Sequence, residues 1–137
     1  MKKEGLLYRV KNAATALFGG TKFTSAVILA GGSGTRVGAD KTKQMIGLCG
    51  KPLVVHTLLA FEACDYVNEI VVVAKQDEIA KYEEFRTAYG LRKLTKIVAG
   101  GETRQMSAKN GFDAVDERAA YVAIHDSARA LVTPEQI

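Results

Sequence analysis

Four short apolar runs, separated by stretches with helical periodicity, set the tightest limit on how this chain can fold. The runs are Ala26 to Leu29, Glu69 to Ala74, Lys96 to Ala99 and Tyr121 to His125. After the first, Leu53, Val54, Thr57, Leu58 and Phe61 recur at helical spacing to about Ala63, with Pro52 suited to the first helical position. Gln76 to Tyr89 carries Ile79, Tyr82, Phe85 and Tyr89 toward a core and closes on Gly90. A third helix from Thr103 to about Val115 is expected to bury Met106, Phe112 and Val115, and Thr133-Pro134-Glu135 reads as the start of another. Strands alternating with helices imply βαβ units, hence an α/β fold with a parallel sheet covered on both faces. At 137 residues there is room for one such domain.

In sheets of this kind ligands bind beyond the carboxyl ends of the strands. Three patches fall there: Ala30 to Arg36, Gly100 to Arg104, and Asp126 to Arg129. In the first, the strand feeds Gly31-Gly32-Ser33-Gly34-Thr35-Arg36, with Lys43 beyond. Glycines without Cβ atoms let backbone N–H groups tilt toward an anion, and Arg36 and Lys43 add positive charge where a polyphosphate would lie. The dinucleotide fingerprint G-x-G-x-x-G is only partly met and no Walker-type motif occurs, so spacing leaves two readings: a phosphate loop or a tight strand-to-helix turn.

The third patch holds the best metal candidate. Asp126, after a strand, can reach a Mg²⁺ that bridges substrate phosphates, or it can cap a turn. Arg129 can grip a phosphate or sit in a surface ion pair. His125 reads as a packed position rather than a base. In the second patch, Glu102 and Ser107 can hydrogen-bond a base edge, although two glycines also suit an ordinary turn.

Composition narrows the partners. A net charge of +4, without dense basic runs or interleaved aromatics, argues against nucleic acid, and no apolar run approaches a membrane span. Cys49 and Cys64 have no metal or redox spacing and suit free thiols in a reducing cytoplasm. Residues 1–22 form a separate amphipathic extension, with Leu6, Leu7, Val10, Ala14, Leu17 and Phe18 at helical spacing before Gly19-Gly20. A membrane-surface or targeting role is conceivable for it, but packing on its own domain or on a partner chain is favoured.

Taken together, the three segments resemble the 2-C-methyl-D-erythritol 4-phosphate cytidylyltransferases of the non-mevalonate isoprenoid pathway. The marks are the Ala-x-Gly-x-Gly loop with its following Arg and Lys-Gln, the Gly-Gly-acid-x-Arg-x-x-Ser segment, and His-Asp-x-Ala-Arg; the likeness runs from about Ser25 to Ile137. The resemblance implies a Rossmann-like three-layer nucleotidyltransferase fold over residues 23–137. It implies that Ala30, Gly31, Gly32 and Gly34 contact the CTP phosphates and ribose, and that Arg36 and Lys43 stabilise charge on the α-phosphate. Gly101, Glu102 and Ser107 would read the cytosine, Asp126 would hold Mg²⁺, and Asp126 and Arg129 would face the acceptor, a polyol phosphate. A cytoplasmic homodimer is implied as well.

Some positions depart from the family. Gly31 stands where many relatives have Ala, a wording shared with ribitol-phosphate and sugar-phosphate nucleotidyltransferases. Thr42 and Ala130 replace frequent prolines. The acceptor is thus less defined than the nucleotide, with ribitol 5-phosphate or another sugar phosphate as the alternative. Ile137 falls where a helix is expected to begin, about halfway through the family's usual extent. The domain is therefore expected to be cut on its C-terminal side, and an inactive nucleotide-binding or assembly fragment is the reading from another class.

Overall fold

The computed structural model describes residues 22–32 and 42–137. Gly34, Arg36 and the proposed N-terminal helix lie outside the described residues. Strand β1 (Thr24–Ala30) precedes a 3-10 turn (Lys43–Met45) and a small hairpin of β2 (Gly47–Leu48) and β3 (Lys51–Pro52). Helix α1 (Leu53–Ala63), β4 (Glu69–Ala74), a second 3-10 turn (Gln76–Glu78) and α2 (Ile79–Ala88) follow. The rest comprises β5 (Leu94–Ala99), α3 (Arg104–Ala114) and β6 (Tyr121–Asp126).

The four long strands form one parallel sheet in the order β5-β4-β1-β6. The chain steps outward from β1 to β4 to β5, then returns to the far side of β1 for β6. This reversal puts a topological switch point between β1 and β6, the place in open α/β sheets where ligands bind. β1 and β4 are buried along nearly their whole length, which is why Ala26 to Ala30 and Ile70 to Ala74 are all Ala, Val, Ile or Leu. Ala26, Ile28 and Ala30 join Ile70, Val72 and Ala74 in a core covered by Val54, Val55, Leu58 and Phe61 of α1 and by Tyr82 and Phe85 of α2. Val27, Leu29 and Val73 face the opposite way, toward Ala108 of α3 and Val115.

Helix α3 presents a different face from the one its apolar residues suggest. Met106 and Phe112 are about half exposed, at 48% and 55%, Val115 is only partly buried, and the buried positions are Ser107 and Gly111. Gly111 lies so close to the sheet that a Cβ there would overlap Val27 and stand 2.7 Å from Val73 Cγ2. Close approach selects small residues, so side-chain size was the wrong guide to the buried face. β6 also departs from a fully buried strand: Tyr121 and Ile124 are exposed. Thr133-Pro134-Glu135 makes one turn and no helix, although Thr133 N–H donates to Gln136 Oε1 at 3.0 Å, as in a capping box. Gly90 does take the left-handed conformation after α2, with φ of 63°.

At the amino end of the sheet a buried carboxylate ties the strands together. Glu69 accepts from Ser25 Oγ at 2.6 Å, Thr95 Oγ1 at 2.7 Å and Asp116 N–H at 2.9 Å, linking β1, β4, β5 and the connection before β6. Burial pushes its pKa up, but the three hydrogen bonds and the charge of Lys96 outweigh this and hold it below 4.5.

Two stability predictions follow from this packing. Gly111→Val should lower the unfolding free energy by about 1–3 kcal/mol in urea denaturation, because the helix must move off the sheet; an unchanged midpoint would contradict the close approach. The stabilisation from Glu69 is fully present above its unfolded value near 4.5 and is lost as pH falls through its depressed folded value. Wild-type stability should therefore decline on acidification more steeply than that of Glu69→Gln, which should itself be about 1–3 kcal/mol less stable at neutral pH.

Candidate active site

The carboxyl edge of the sheet gathers the segments singled out in the sequence. Ala30 ends β1, and Gly31 and Gly32 follow it. Leu29 pairs with Asp126, so the last residue of β6 lies level with the end of β1. The next residue is tied to the same place, Ser127 N–H donating to Leu29 O at 3.0 Å. Gly100 N–H donates to Ala74 O at 2.8 Å, which brings the β5–α3 turn to the end of β4.

The two glycine turns lie side by side. A Cβ on Gly31 would stand 3.7 Å from Ser107 Oγ and 4.0 Å from the Gly100 Cα. At these distances a side chain as small as alanine has room at this position. The second turn is more confined: a Cβ on Gly100 would come within 2.8 Å of Ser107 Oγ, and one on Gly101 would overlap Met106. Ser107 Oγ accepts from Gly101 N–H at 3.0 Å, and Thr103 caps α3 by accepting from Met106 N–H at 3.1 Å. Ser107 therefore shapes the turn in this structure, and Glu102 sits exposed beside it, just before the helix. The N-terminus of α3 thus opens onto the rim, where its free N–H groups favour negative charge.

Lys43 is exposed on its 3-10 turn, but its neighbours are anchored. Thr42 Oγ1 donates to Glu78 Oε1 at 2.8 Å, and the buried Gln44 donates through Nε2 to Ala30 O. Gln44 thereby fastens the lysine's turn to the end of β1. On the other side, the buried Thr57 of α1 donates to Ser127 O at 2.7 Å and holds the segment between Asp126 and Arg129. Neither anchor was foreseen. Thr57 is a polar residue inside an apolar stretch, and that was the available signal; Gln44 ends the polar run from Asp40 and carries none.

Asp126 receives two guanidinium groups. Arg104 of α3 reaches Oδ1, and Arg129 Nη2 lies 3.3 Å from Oδ2. His125 packs edge-on against Phe61 at 5.0 Å between ring centroids. Burial holds its pKa below 6.5, with the charge of Arg129 acting in the same direction, so it is a neutral packed ring. No cluster of three or more His, Cys, Asp and Glu side chains able to cage a metal occurs among the described residues. A lone rim carboxylate still fits Mg²⁺, which commonly takes one or two protein carboxylates and completes its shell with phosphates and water. A polar hollow lined by Lys96, Val115, Asp116, Glu117 and Arg118 lies toward the other edge, where Arg118 closes on Asp116.

The parallel sheet, its switch point and the paired glycine turns define a Rossmann-like nucleotidyltransferase fold. The family model for 2-C-methyl-D-erythritol 4-phosphate cytidylyltransferase (IspD) matches residues 24–137, and the chain belongs to that family. Among curated relatives, the Alkaliphilus metalliredigens enzyme of that name is 40% identical over 114 residues, covering 82% of this chain and 47% of its own. The Halalkalibacterium halodurans enzyme is 43% identical over 113 residues, covering 82% and 49%. The solved 4-diphosphocytidyl-2C-methyl-D-erythritol synthase of Anaerococcus prevotii superposes with a TM-score of 0.72 at 27% identity, over 85% of this chain and 48% of that one. The chain thus spans about half the length of the curated relatives it matches.

The anchoring role of Gln44 is open to test. Gln44→Met keeps the bulk but removes the donor to a buried carbonyl, and it should cost about 1–3 kcal/mol of stability. Thermal unfolding that matched wild type would show that the Ala30 carbonyl finds another partner.

Proposed function

We propose that this chain carries the nucleotide-handling part of an enzyme that moves CMP from CTP onto 2-C-methyl-D-erythritol 4-phosphate. The observation that carries the reading is the close placement of the two glycine turns beside Asp126, within a chain of this family. In the reaction, an oxygen of the acceptor phosphate forms a bond to the α-phosphorus of CTP. The bond from that phosphorus to the bridging oxygen breaks, and pyrophosphate departs with the electron pair.

Such a displacement depends on alignment and charge neutralisation more than on covalent catalysis. Backbone N–H groups of Gly31 and Gly32 would receive phosphate oxygens, and the α3 N-terminus adds favourable potential. Lys43, held in position through Gln44, would stabilise the charge that builds on the α-phosphate, as would Arg36. Gly101, Glu102 and Ser107 would recognise the base. Asp126 would hold Mg²⁺, which when bound neutralises phosphate charge. Arg129 would orient the acceptor phosphate by its planar fork. We assign the whole protein to the cytoplasm as a homodimer; no described helix is long and apolar enough to cross a membrane.

The test is CTP binding and pyrophosphate release by the chain, with methylerythritol phosphate and ribitol phosphate compared as acceptors. CTP should bind in preference to ATP, and release should require methylerythritol phosphate; release with ribitol phosphate alone would reassign the acceptor. Lys43→Ala should lower turnover by about 100-fold or more while CTP affinity changes little, the pattern of a group acting in the transition state. Equal losses in turnover and affinity would move Lys43 to ground-state binding.

A further inference from the structure

We propose that Arg104 is the resident counter-ion of Asp126, holding the place of the divalent cation at the rim until nucleotide brings it. The proposal rests on the CTP reading above and makes Arg104 a positioning residue. The contact joins two elements, the first residue of α3 and the last of β6, whereas the partner of the other carboxylate oxygen, Arg129, comes from the turn directly after Asp126. Asp126 faces the rim where the triphosphate would lie, and an uncompensated carboxylate there repels phosphate. The Arg104 guanidinium removes that repulsion. Its side chain is 68% exposed, against 29% for Asp126, so it can leave without opening the core. A cation approaching Oδ1 must displace it.

Loss of Arg104 therefore has two consequences that act in one direction. Without divalent cation, Asp126 keeps only Arg129, on its other oxygen, to offset its charge against the phosphates, and CTP binds less well. With Mg²⁺ present, one fewer guanidinium would compete with the cation for the carboxylate. The ratio of CTP affinity in Mg²⁺ to that in EDTA should rise.

Calorimetric titration of the full chain with CTP, in Mg²⁺ and in EDTA, reads this ratio without requiring turnover. Arg104→Gln should raise it by about fivefold. Arg104→Lys, which keeps the charge, should stay within about twofold of wild type. Asp126→Asn should bring the ratio close to one. Equal weakening by Arg104→Gln under both conditions, with the ratio unchanged, would overturn the proposal while leaving the CTP reading intact. Absence of CTP binding by wild type under both conditions would overturn the CTP reading and the role of Arg104 with it.

Discussion

The pairing of β1 on both edges is the constraint on which the rest of the molecule depends. Its partners, β4 and β6, come from distant parts of the sequence, and its two faces supply both cores. A strand so enclosed takes apolar residues of fitted size or, as at Ser25, a polar one whose hydroxyl is hydrogen-bonded, and its carboxyl end becomes the meeting point of the segments around the site. The switch point is a consequence of this topology: the chain steps one way from β1 through β4 to β5, then reverses across the sheet to place β6 on the other side of β1.

Buried polar groups then fix details that apolar packing leaves open. Glu69 does so at one edge, joining three strands and a loop. At the other edge Gln44, Thr57 and Ser107 each satisfy a backbone group in a neighbouring segment. Interior hydrogen bonds of this kind add little net stability each, but breaking one strands a partner, which makes the arrangement specific. Lys43 and Arg129 are exposed, yet the residues beside them are locked. Those anchors fix the backbone near each charge, a sound basis for placing it against a phosphate.

The alternation of strands and helices was legible because β1, β4, α1 and α2 obey simple periodicities. α3 was not read correctly, since its contact with the sheet is made through Ser107 and Gly111 and its large residues point outward. The β2–β3 hairpin also escaped notice; it turns through Cys49 and Gly50, with φ of 50° and 79°, and Cys at the first of these carries no turn signal. Of the candidate site, the glycine turns and Asp126 stood out because each ends a strand. Arg104 was visible within a motif, but its partner lies across the rim, and single-sequence periodicity carries no information about such pairs. Thr57 was counted as part of an apolar stripe, where its hydroxyl was the clue to a bond with Ser127.

The order β5-β4-β1-β6 also bears on how the polypeptide acquires its shape as it leaves the ribosome. β1 can join β4 early, but its other edge has no neighbour until β6 has been synthesised. Through that interval the N–H and C=O groups along one side of a largely aliphatic strand stay unpaired, an edge open to pairing with other chains that a sheet built from hairpins closes sooner.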